Sequence, residues 1–396
     1  MSSKIYIMPA GSIGAISYYV LKNNNHIFTE LLGSKVSGFI DNIRGKTENA
    51  EFCGLPVKIP ENIDRSARVI VASFRYGKKL IQQLHKLGFT DIVSADSFLT
   101  QENTSSVLEQ MQEDNIEQRY NLISIQDSLR GFFIDAGNEN DALTITRAEF
   151  VITQRCTLKC RDCSTLIQYY EKPVDLNIDG VIESVDRLFE FVESVRSVNI
   201  IGGEPFIVKG IAPLIDKLEA YRTRIGELII ITNGTIVPDS ETIISMRRAD
   251  LVVRISDYGE LSRKINELQE RLSENGVRYE IKRDLHWSIQ RSFSNATNSG
   301  EETFRNCETW CAQIMDGKLY YCNFAAHGDA LRAFPFNKDN YIELLSPDTN
   351  KETIRTYIER TCALPACQYC TGINLSNESI PVAVQTKVPL PYKKYE

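Results

Sequence analysis

The feature that most constrains this chain is a loop with three cysteines, which follows an apolar stretch typical of a buried strand. Cys156, Cys160 and Cys163 stand at C-x3-C-x2-C spacing. Three thiolates on one short loop can hold three irons of a cubane cluster and leave the fourth iron open, whereas clusters that only carry electrons are normally closed by four cysteines. Structural zinc sites also take four ligands, usually from C-x2-C loops. The spacing therefore favours an open-site iron–sulfur cluster over a zinc site or a disulfide.

Apolar stretches that end in polar residues recur after this loop, with amphipathic segments between them. Strands that alternate with helices predict a parallel sheet or barrel, and parallel barrels build their sites at the carboxyl ends of the strands. The pattern predicts five strand–helix steps, and a sixth strand is not legible. The successive strand ends are Gly202-Gly203-Glu204-Pro205, then Thr232-Asn233, then Ser256-Asp257-Tyr258.

The cysteine loop and these strand ends, in this order, resemble the radical S-adenosylmethionine (SAM) superfamily. The resemblance implies a partial (β/α)6 barrel in which Cys156, Cys160 and Cys163 hold a [4Fe-4S] cluster whose open iron binds SAM. The residue before the last cysteine is usually aromatic in the superfamily and is Asp162 here, so adenine contacts are expected elsewhere. The GGEP turn would receive the amino group of SAM, and the strand end at Thr232-Asn233 its ribose and carboxylate region; the strand end at Ser256 again carries polar residues. The implied SAM contacts are Gly202, Gly203, Glu204, Pro205, Thr232, Asn233 and Ser256.

The chemistry implied by the resemblance is reductive cleavage of SAM to methionine and a 5′-deoxyadenosyl radical, which abstracts hydrogen from the substrate. The electron would come from an external donor such as flavodoxin or ferredoxin. Acid–base partners are expected among the polar residues near the strand ends, although such residues often only cap loops. The candidates are Asp257, Tyr258 and His286, with Trp287 beside them and His327 farther along the chain.

A second group of cysteines follows near the C-terminus and resembles the Twitch module, the shortened form of the SPASM extension of radical SAM enzymes. The resemblance implies one auxiliary [4Fe-4S] cluster, which would accept or relay the electron of a substrate radical. Two further cysteines, Cys311 and Cys362, are not needed for this cluster, and either could replace one of its four ligands. A structural zinc site is the alternative. The implied ligands are Cys307, Cys322, Cys367 and Cys370.

Residues 1–100 alternate short apolar strands with helical segments, which predicts a Rossmann-like parallel sheet. Pro9 stands where the first glycine of a dinucleotide fingerprint would fall, so NAD binding is not expected. The segment instead resembles the small domain that recognises nucleotide sugars in front of bacterial sugar acetyltransferases. Its glycines could equally serve only a tight turn and close helix packing. The contacts implied by the resemblance are Gly11, Ser12, Ile13 and Asp41.

The 396 residues are enough for two or three domains and have an ordinary globular composition, and the net charge of −7 argues against a large nucleic-acid footprint. No apolar run is long enough to span a membrane, and no secretory signal begins the chain. Ten cysteines are better interpreted as metal ligands than as disulfides, which predicts a reducing cytoplasm. The predicted domains are 1–100 (Rossmann-like), 101–141 (helical linker), 142–300 (radical SAM barrel) and 301–396 (Twitch-like).

Together these resemblances predict a radical SAM enzyme, an oxidoreductase or lyase, that acts on a sugar or nucleotide-activated sugar in bacterial glycan or secondary-metabolite assembly. Dehydrogenation, elimination and epimerisation are the possible outcomes. A maturase that modifies ribosomal peptides is the alternative. A non-catalytic iron–sulfur carrier is disfavoured, because a carrier has no use for a SAM-binding turn such as Gly202–Pro205.

Overall fold

The computed structural model describes residues 4–10, 12–23, 35–42, 44–72, 77–99, 104, 107, 129, 142–283, 287–288, 293, 300–307, 311–372 and 379–395. The chain divides into two compact units, Met1–Gly137 and Asn138–Glu396. Within the described residues, no helix has both the length and the apolarity that a membrane crossing needs. The cytoplasmic location and the boundaries at residues 100, 141 and 300 stay predictions.

The first unit is built on a mainly parallel sheet with the strand order β3-β4-β2-β1-β5-β6, in which only β3 and β4 pair antiparallel. The central strand β1 is buried on both faces, since Ile5 and Ile7 pack into one apolar cluster while Tyr6 and Met8 pack into another. Burial on both faces is typical of parallel sheets covered by helices. The elements are β1 (Ile5–Met8), α1 (Ser12–Asn23), β2 (Val36–Ile40), β3 (Glu51–Phe52), β4 (Leu55–Lys58), β5 (Arg68–Val71), α2 (Gly77–Lys86) and β6 (Ile92–Ser94).

The second unit contains an eight-stranded sheet with the order β11-β10-β9-β8-β7-β13-β14-β15, and β12 pairs separately with β16. Its strands are β7 (Thr144–Val151), β8 (Ser194–Ile201), β9 (Ile225–Thr232), β10 (Val252–Ser256), β11 (Arg278–Lys282), β12 (Trp287–Ser288), β13 (Ala312–Met315), β14 (Lys318–Tyr320), β15 (Tyr341–Glu343) and β16 (Ser379–Ile380). Its helices are α3 (Ile178–Phe191), α4 (Ala212–Ala220), α5 (Ser240–Arg248), α6 (Ile265–Glu274), α7 (Glu301–Asn306), α8 (Asn323–Leu331) and α9 (Lys351–Ile358).

The expected α/β class is confirmed, and the structure adds the sixth parallel strand that the sequence pattern did not reveal. This strand is β13, which pairs parallel to β7 with Ala312 opposite Ala148 and Ile314 opposite Phe150. Strands β14 and β15 continue the same sheet antiparallel. Strands β13 to β15, which follow position 300, therefore extend the sheet of β7, whereas β16 pairs with β12.

The two faces of this sheet differ in polarity near β7. Phe150, Val198 and Ile314 are buried in the main apolar cluster together with the amphipathic helix α3. The intervening residues Glu149, Asn199 and Gln313 are also buried, and strand alternation places them on the opposite face. Glu149, Asn199 and Gln313 thus form a buried polar group on the face of the sheet opposite the apolar cluster.

We expect Phe150→Ala to lower the free energy of unfolding by about 3–5 kcal/mol, because it leaves a cavity in the packed face. Urea denaturation followed by circular dichroism measures this loss. Phe336→Ala is the matched control, since the side chain of Phe336 is 67% exposed. Equal, small effects of the two substitutions would contradict the assignment of Phe150 to the core.

Candidate SAM and iron–sulfur site

The three-cysteine loop directly follows β7 and lines a cavity of about 390 Å³ at the carboxyl ends of the parallel strands. All three of its cysteines face this cavity, as expected for ligands of one cluster. The carboxyl ends of four parallel strands, β7 to β10, lie around it, and its wall brings together residues as far apart in sequence as Arg147 and Asn323. The other predicted site residues on its wall are Gly202, Gly203, Thr232, Asn233, Ser256 and Tyr258.

Two glycines let the end of β8 approach the cysteine loop at backbone distance. The N–H of Gly203 donates to the carbonyl of Thr153 at 3.0 Å, and the N–H of Glu204 donates to the carbonyl of Arg155 at 2.8 Å. A Cβ on Gly203 would lie 2.2 Å from the Arg155 carbonyl oxygen, and one on Gly202 would lie 2.6 Å from Thr153. These positions therefore require glycine because of a close approach, and the exposed backbone of the turn faces the cavity.

Glu204 links the ends of β8 and β9 and has no exposed surface. Its carboxylate accepts from the hydroxyl of Thr232 at 2.8 Å, from the N–H of Asn233 at 2.8 Å and from the N–H of Phe206 at 3.2 Å. Burial raises the pKa of Glu204 to about 7, although these three donors favour the charged form. The Glu204 side chain, which was predicted to contact SAM, thus holds the turn in place, and Gly202 and Gly203 present their backbone to the cavity.

Asn233 connects the end of β9 to the cysteine loop. Its amide nitrogen donates to the hydroxyl of Thr157 at 3.1 Å and to the sulfur of Cys156 at 3.5 Å. Its amide oxygen accepts from the N–H and the hydroxyl of Thr235 at 3.1 and 2.6 Å. The hydroxyls of Thr157 and Thr235 lie 2.6 Å apart, which closes the network. The loop is therefore fixed to two strand ends by polar contacts.

Each sulfur of the loop has a hydrogen-bond partner, which suits thiolates that bind metal. The N–H of Leu158 lies 3.4 Å from the Cys156 sulfur. The side-chain amide of Gln385 donates to Cys160 at 3.2 Å, and the hydroxyl of Thr165 lies 3.1 Å from Cys163. Burial raises the pKa of Cys156 far above its ordinary value and that of Cys160 to about 11. These thiols therefore need a bound cation to become thiolates at neutral pH.

Among the described residues, no three His, Cys, Asp or Glu side chains converge closely enough to hold a single metal ion. Cubane clusters are bound differently, since each thiolate ligates its own iron. The donor set of three sulfurs with hydrogen-bond partners, on a cavity wall beside a glycine turn, fits such a cluster with SAM.

The predicted acid–base residues differ in their placement. Tyr258 lines the cavity and packs edge-on against Trp287, with ring centroids 5.9 Å apart. Burial, and to a lesser extent the three nearby thiols, raises the pKa of Tyr258, so this phenol remains protonated. Asp257 is held in the loop, where its carboxylate accepts from Gly259 N–H at 2.9 Å and pairs with Arg283 at 3.3 Å. His286 lies outside the described residues. The roles of these residues stay predictions.

The cavity wall also contains polar residues that the sequence did not place there, among them Arg147, Glu149, Cys311 and Asn323. Arg147 and Glu149 are charged residues two positions apart in β7, a signal that could have revealed them. Cys311 and Asn323 have no such signal, because they enter through the pairing of β13 with β7 and the start of α8.

The C-terminal cysteines assemble from three places in the sequence. Cys307 follows α7, Cys322 precedes α8, and Cys367 lies in the turn Pro365–Tyr369. Burial, and then the neighbouring thiols of Cys322 and Cys307, raise the pKa of Cys367 to about 12. The N–H of Gly372 donates to the Cys370 sulfur at 3.3 Å, and a Cβ on Gly372 would lie 3.9 Å from that of Cys307. The four predicted ligands are thus neighbours, whereas the spare Cys311 lines the central cavity.

His327 lies in α8 and is fully buried, and its Nδ1 lies 3.0 Å from the hydroxyl of Tyr170. Burial lowers the pKa of His327 to about 3, so the imidazole is neutral at physiological pH. A neutral histidine inside a helix, bonded to a tyrosine, favours a packing role over an acid–base role.

The predicted contacts of the first unit remain untested. Ile13 lies in α1 with its side chain buried in the core of that unit. Asp41 follows β2, and its N–H donates to the carbonyl of Lys58 at 2.9 Å. Gly11 and the side chain of Ser12 lie outside what the structure describes.

Several characterised enzymes share part of their sequence with this chain. The GTP 3′,8-cyclase of Helicobacter pylori (strain 26695) is 33% identical over 85 residues, which is 21% of this chain and 26% of that enzyme. The enzyme of strain HPAG1 is 27% identical over 135 residues, 31% of this chain and 41% of that enzyme. The 7-carboxy-7-deazaguanine synthase of Rhodopirellula baltica is 34% identical over 108 residues, 27% of this chain and 38% of that enzyme. The chain therefore spans well under half the length of these relatives.

Comparisons with family models and with solved structures give no further information about the family or the substrate. No family model matches the chain. The structure described as native anSMEcpe with bound AdoMet and Cp18Cys peptide is 22% identical, covers 35% of this chain and 42% of that chain, and has a TM-score of 0.28. Streptococcus suis SuiB bound to the precursor peptide SuiA is 16% identical, covers 46% of each chain and has a TM-score of 0.29. Structural similarities this low say nothing about the substrate. They therefore do not support the alternative of a peptide-modifying maturase.

The curated relatives support the radical SAM resemblance and correct the expected substrate. The expectation of a sugar or nucleotide-activated sugar is wrong, because the relatives are named for GTP and for a deazaguanine. The resemblance of residues 1–100 to a nucleotide-sugar domain had suggested the sugar.

We expect Gly203→Ala to lower the stability of the chain by about 1–3 kcal/mol or more, because the new Cβ would overlap the Arg155 carbonyl 2.2 Å away. The same displacement of the cysteine loop should reduce the iron bound after anaerobic reconstitution. Urea denaturation and iron analysis measure the two effects.

The control is Gly180→Ala in α3, where the nearest atom to the new Cβ would be 3.9 Å away. This substitution should be neutral or stabilise the helix by up to about 1 kcal/mol. Wild-type stability and iron content in the Gly203 variant would show that the close approach is not required.

Proposed function

We propose that the chain, which resembles the radical SAM superfamily in its motifs and in its curated relatives, is an iron–sulfur enzyme that generates a radical from SAM. The observation that carries this proposal is the convergence of Cys156, Cys160 and Cys163 with the Gly202–Gly203 turn on one cavity wall. An electron carrier would need neither the open ligand set nor the glycine turn.

Different residues of the cavity would bind the cluster and SAM. Cys156, Cys160 and Cys163 would hold a [4Fe-4S] cluster, which together with SAM and an external electron supplies reductive cleavage to a 5′-deoxyadenosyl radical. The backbone of Gly202 and Gly203 would bind the methionine end of SAM, because glycine at both positions lets this backbone pack against the cysteine loop and line the cavity.

We assign an auxiliary cluster to Cys307, Cys322, Cys367 and Cys370, in keeping with the Twitch resemblance. Support comes from the proximity of these thiols, whose mutual repulsion contributes to the raised pKa of Cys367. Four thiolates close a cluster, so this site would carry electrons and leave SAM to the other one.

The substrate that fits the cavity best carries adjacent hydrogen-bond donors. Glu149 lies on the cavity wall with only 9% exposure, and its carboxylate accepts from the amides of Asn199 and Gln313 at 3.3 Å each. A carboxylate has about four acceptor positions, so two remain for a ligand. The structure records no cation paired with Glu149 within the described residues, and a buried charge is costly unless it is paired.

A second acceptor and a cation lie on the same wall. The amide of Asn323 donates to the Ser164 carbonyl at 2.9 Å, which fixes its orientation and leaves its oxygen buried without a partner among the described residues. Arg147, two residues before Glu149 in β7, also lines the cavity. An arginine of this kind suits a phosphate or carboxylate.

We therefore propose a guanine-containing nucleotide as the substrate class. Guanine carries N1–H and the C2 amino group side by side, and these two donors match the two oxygens of one carboxylate, here that of Glu149. The names of both groups of relatives, GTP 3′,8-cyclase and 7-carboxy-7-deazaguanine synthase, contain this ring or its deaza form.

Replacing any one of Cys156, Cys160 or Cys163 by serine should reduce formation of 5′-deoxyadenosine to background, because a serine hydroxyl is a much weaker iron ligand than a thiolate. The measurement is anaerobic incubation of the reconstituted full chain with SAM and dithionite, with detection by mass spectrometry. Cys53→Ser, in the first unit, is the control and should retain activity. Failure of the wild-type chain to form 5′-deoxyadenosine with intact clusters would refute the proposed chemistry.

Glu149→Gln should weaken binding of GTP about 5- to 150-fold while binding of ITP, which lacks the 2-amino group, changes less. The reason is that an amide offers one acceptor where the carboxylate offers a matched pair. Equilibrium binding by calorimetry in the presence of SAM measures both ligands.

The control variant is Glu241→Gln, whose side chain is exposed in the first turn of α5. Substrate-independent cleavage of SAM should persist in the Glu149 variant, which separates recognition from radical formation. Equal affinity of the wild-type chain for GTP, ITP and ATP would exclude the guanine assignment and leave the SAM chemistry standing.

A further inference from the structure

We propose that residues Ala383–Thr386, which we name the cluster strap, cover the cysteine loop and that Gln385 sets the reduction potential of the cluster held there. The proposal rests on the proposed function only in that Cys156, Cys160 and Cys163 bind a cluster. No motif in the sequence marks these residues, which lie more than two hundred positions after the loop.

The strap pairs with the loop as a short antiparallel bridge between Cys160 and Gln385. The N–H of Arg161 donates to the carbonyl of Val384 at 2.7 Å, and the N–H of Thr386 donates to the carbonyl of Lys159 at 2.8 Å. These backbone bonds lie on both sides of the central ligand, Cys160. The strap is therefore paired with the loop in a defined antiparallel register.

The side chain of Gln385 completes the contact with the sulfur. Its oxygen accepts from the N–H of Lys159 at 2.8 Å, and its nitrogen donates to the carbonyl of Ala383 at 2.7 Å and to the Cys160 sulfur at 3.2 Å. The orientation of the amide is determined by its partners, because Lys159 N–H can only donate and the Ala383 carbonyl can only accept. The N–H that points at the sulfur is thus required by the network.

The chain that follows the strap is anchored to the second unit by other groups. The N–H of Leu390 donates to the carbonyl of Gln168 at 2.8 Å, and the hydroxyl of Tyr392 donates to the carbonyl of Leu331 at 2.9 Å. The ring of Tyr392 also packs against that of Tyr169, with centroids 5.6 Å apart. Under this cover the Cys160 side chain is only 8% exposed.

Hydrogen bonds to sulfur and exclusion of solvent are two of the factors that set the potential of an iron–sulfur cluster. Reduction adds negative charge, and an N–H dipole aimed at a ligand sulfur stabilises that charge. Gln385 should therefore raise the potential and make the cluster easier to reduce by a biological donor. Gln385 acts through Cys160 and is a positioning residue, since it contacts the Cys160 sulfur and is not among the residues that line the cavity.

The test uses the full chain, reconstituted anaerobically, with the midpoint potential of the loop cluster measured by redox titration and electron paramagnetic resonance. The change that SAM produces in its spectrum distinguishes this cluster from the auxiliary one. Gln385→Met keeps the size of the side chain and removes the N–H donor, so the midpoint should shift to a more negative potential. Gln385→Glu keeps the acceptor for Lys159 N–H and places negative charge near the sulfur, so the shift should be larger.

Thr386→Val is the matched control, because it removes a strap contact, from the Thr386 hydroxyl to the Lys159 carbonyl at 3.2 Å, without altering a sulfur contact. Its midpoint should equal that of the wild type. If Gln385→Met fails to assemble the cluster, the midpoint potential of Gln385→Glu tests the proposal instead.

Unchanged midpoints in both Gln385 variants, with full iron and sulfide content, would overturn the proposal. An equal shift in Thr386→Val would also overturn it, because the effect would then come from the strap as a whole. Absence of a SAM-responsive cluster in the wild-type chain would instead refute the proposed function, so the two failures are distinguishable.

Discussion

The site depends on one backbone contact, that between the turn after β8 and the cysteine loop after β7. Two N–H groups of the turn donate to carbonyls of Thr153 and Arg155 at 3.0 and 2.8 Å, and side chains on Gly202 or Gly203 would prevent this approach. Because the contact draws the loop over the sheet, the three sulfurs face the same cavity as the ends of the neighbouring strands. Without it the cysteines would be a loop beside a sheet, and no common cavity would form.

A buried carboxyl group maintains this arrangement. Glu204 is removed from water, yet its three donors come from the 3₁₀ turn after it and from two residues at the end of β9. Desolvation raises its pKa to about 7, so the hydrogen bonds do not fully offset the cost of burial. What the network provides is a defined spacing between two strand ends, which is what a cofactor bound across them needs.

The same sheet carries three groups of polar residues, which lie at different levels and on different faces of the sheet. The sulfurs and their donors lie above the strand ends, Glu149 with Asn199 and Gln313 lies within the sheet, and the second cysteine group lies beyond β13. Strand alternation produces the middle group, since every second residue of β7 turns away from the apolar face. The cluster strap adds a donor to the first group from the far end of the chain.

The sequence alone determined the features that are local: the spacing of Cys156, Cys160 and Cys163, the glycines at 202 and 203, and the alternation of strands and helices that makes the unit α/β. Each depends on residues within one turn or one element, so periodicity and spacing are sufficient to predict it. Only the tertiary structure decided that β13 is the sixth parallel strand and that Gln385 reaches Cys160. It also decided that Glu204 joins two strands and that Glu149 meets Asn199 and Gln313. These follow from strand register and long-range pairing, where the partners are tens to hundreds of residues apart and no local pattern specifies them.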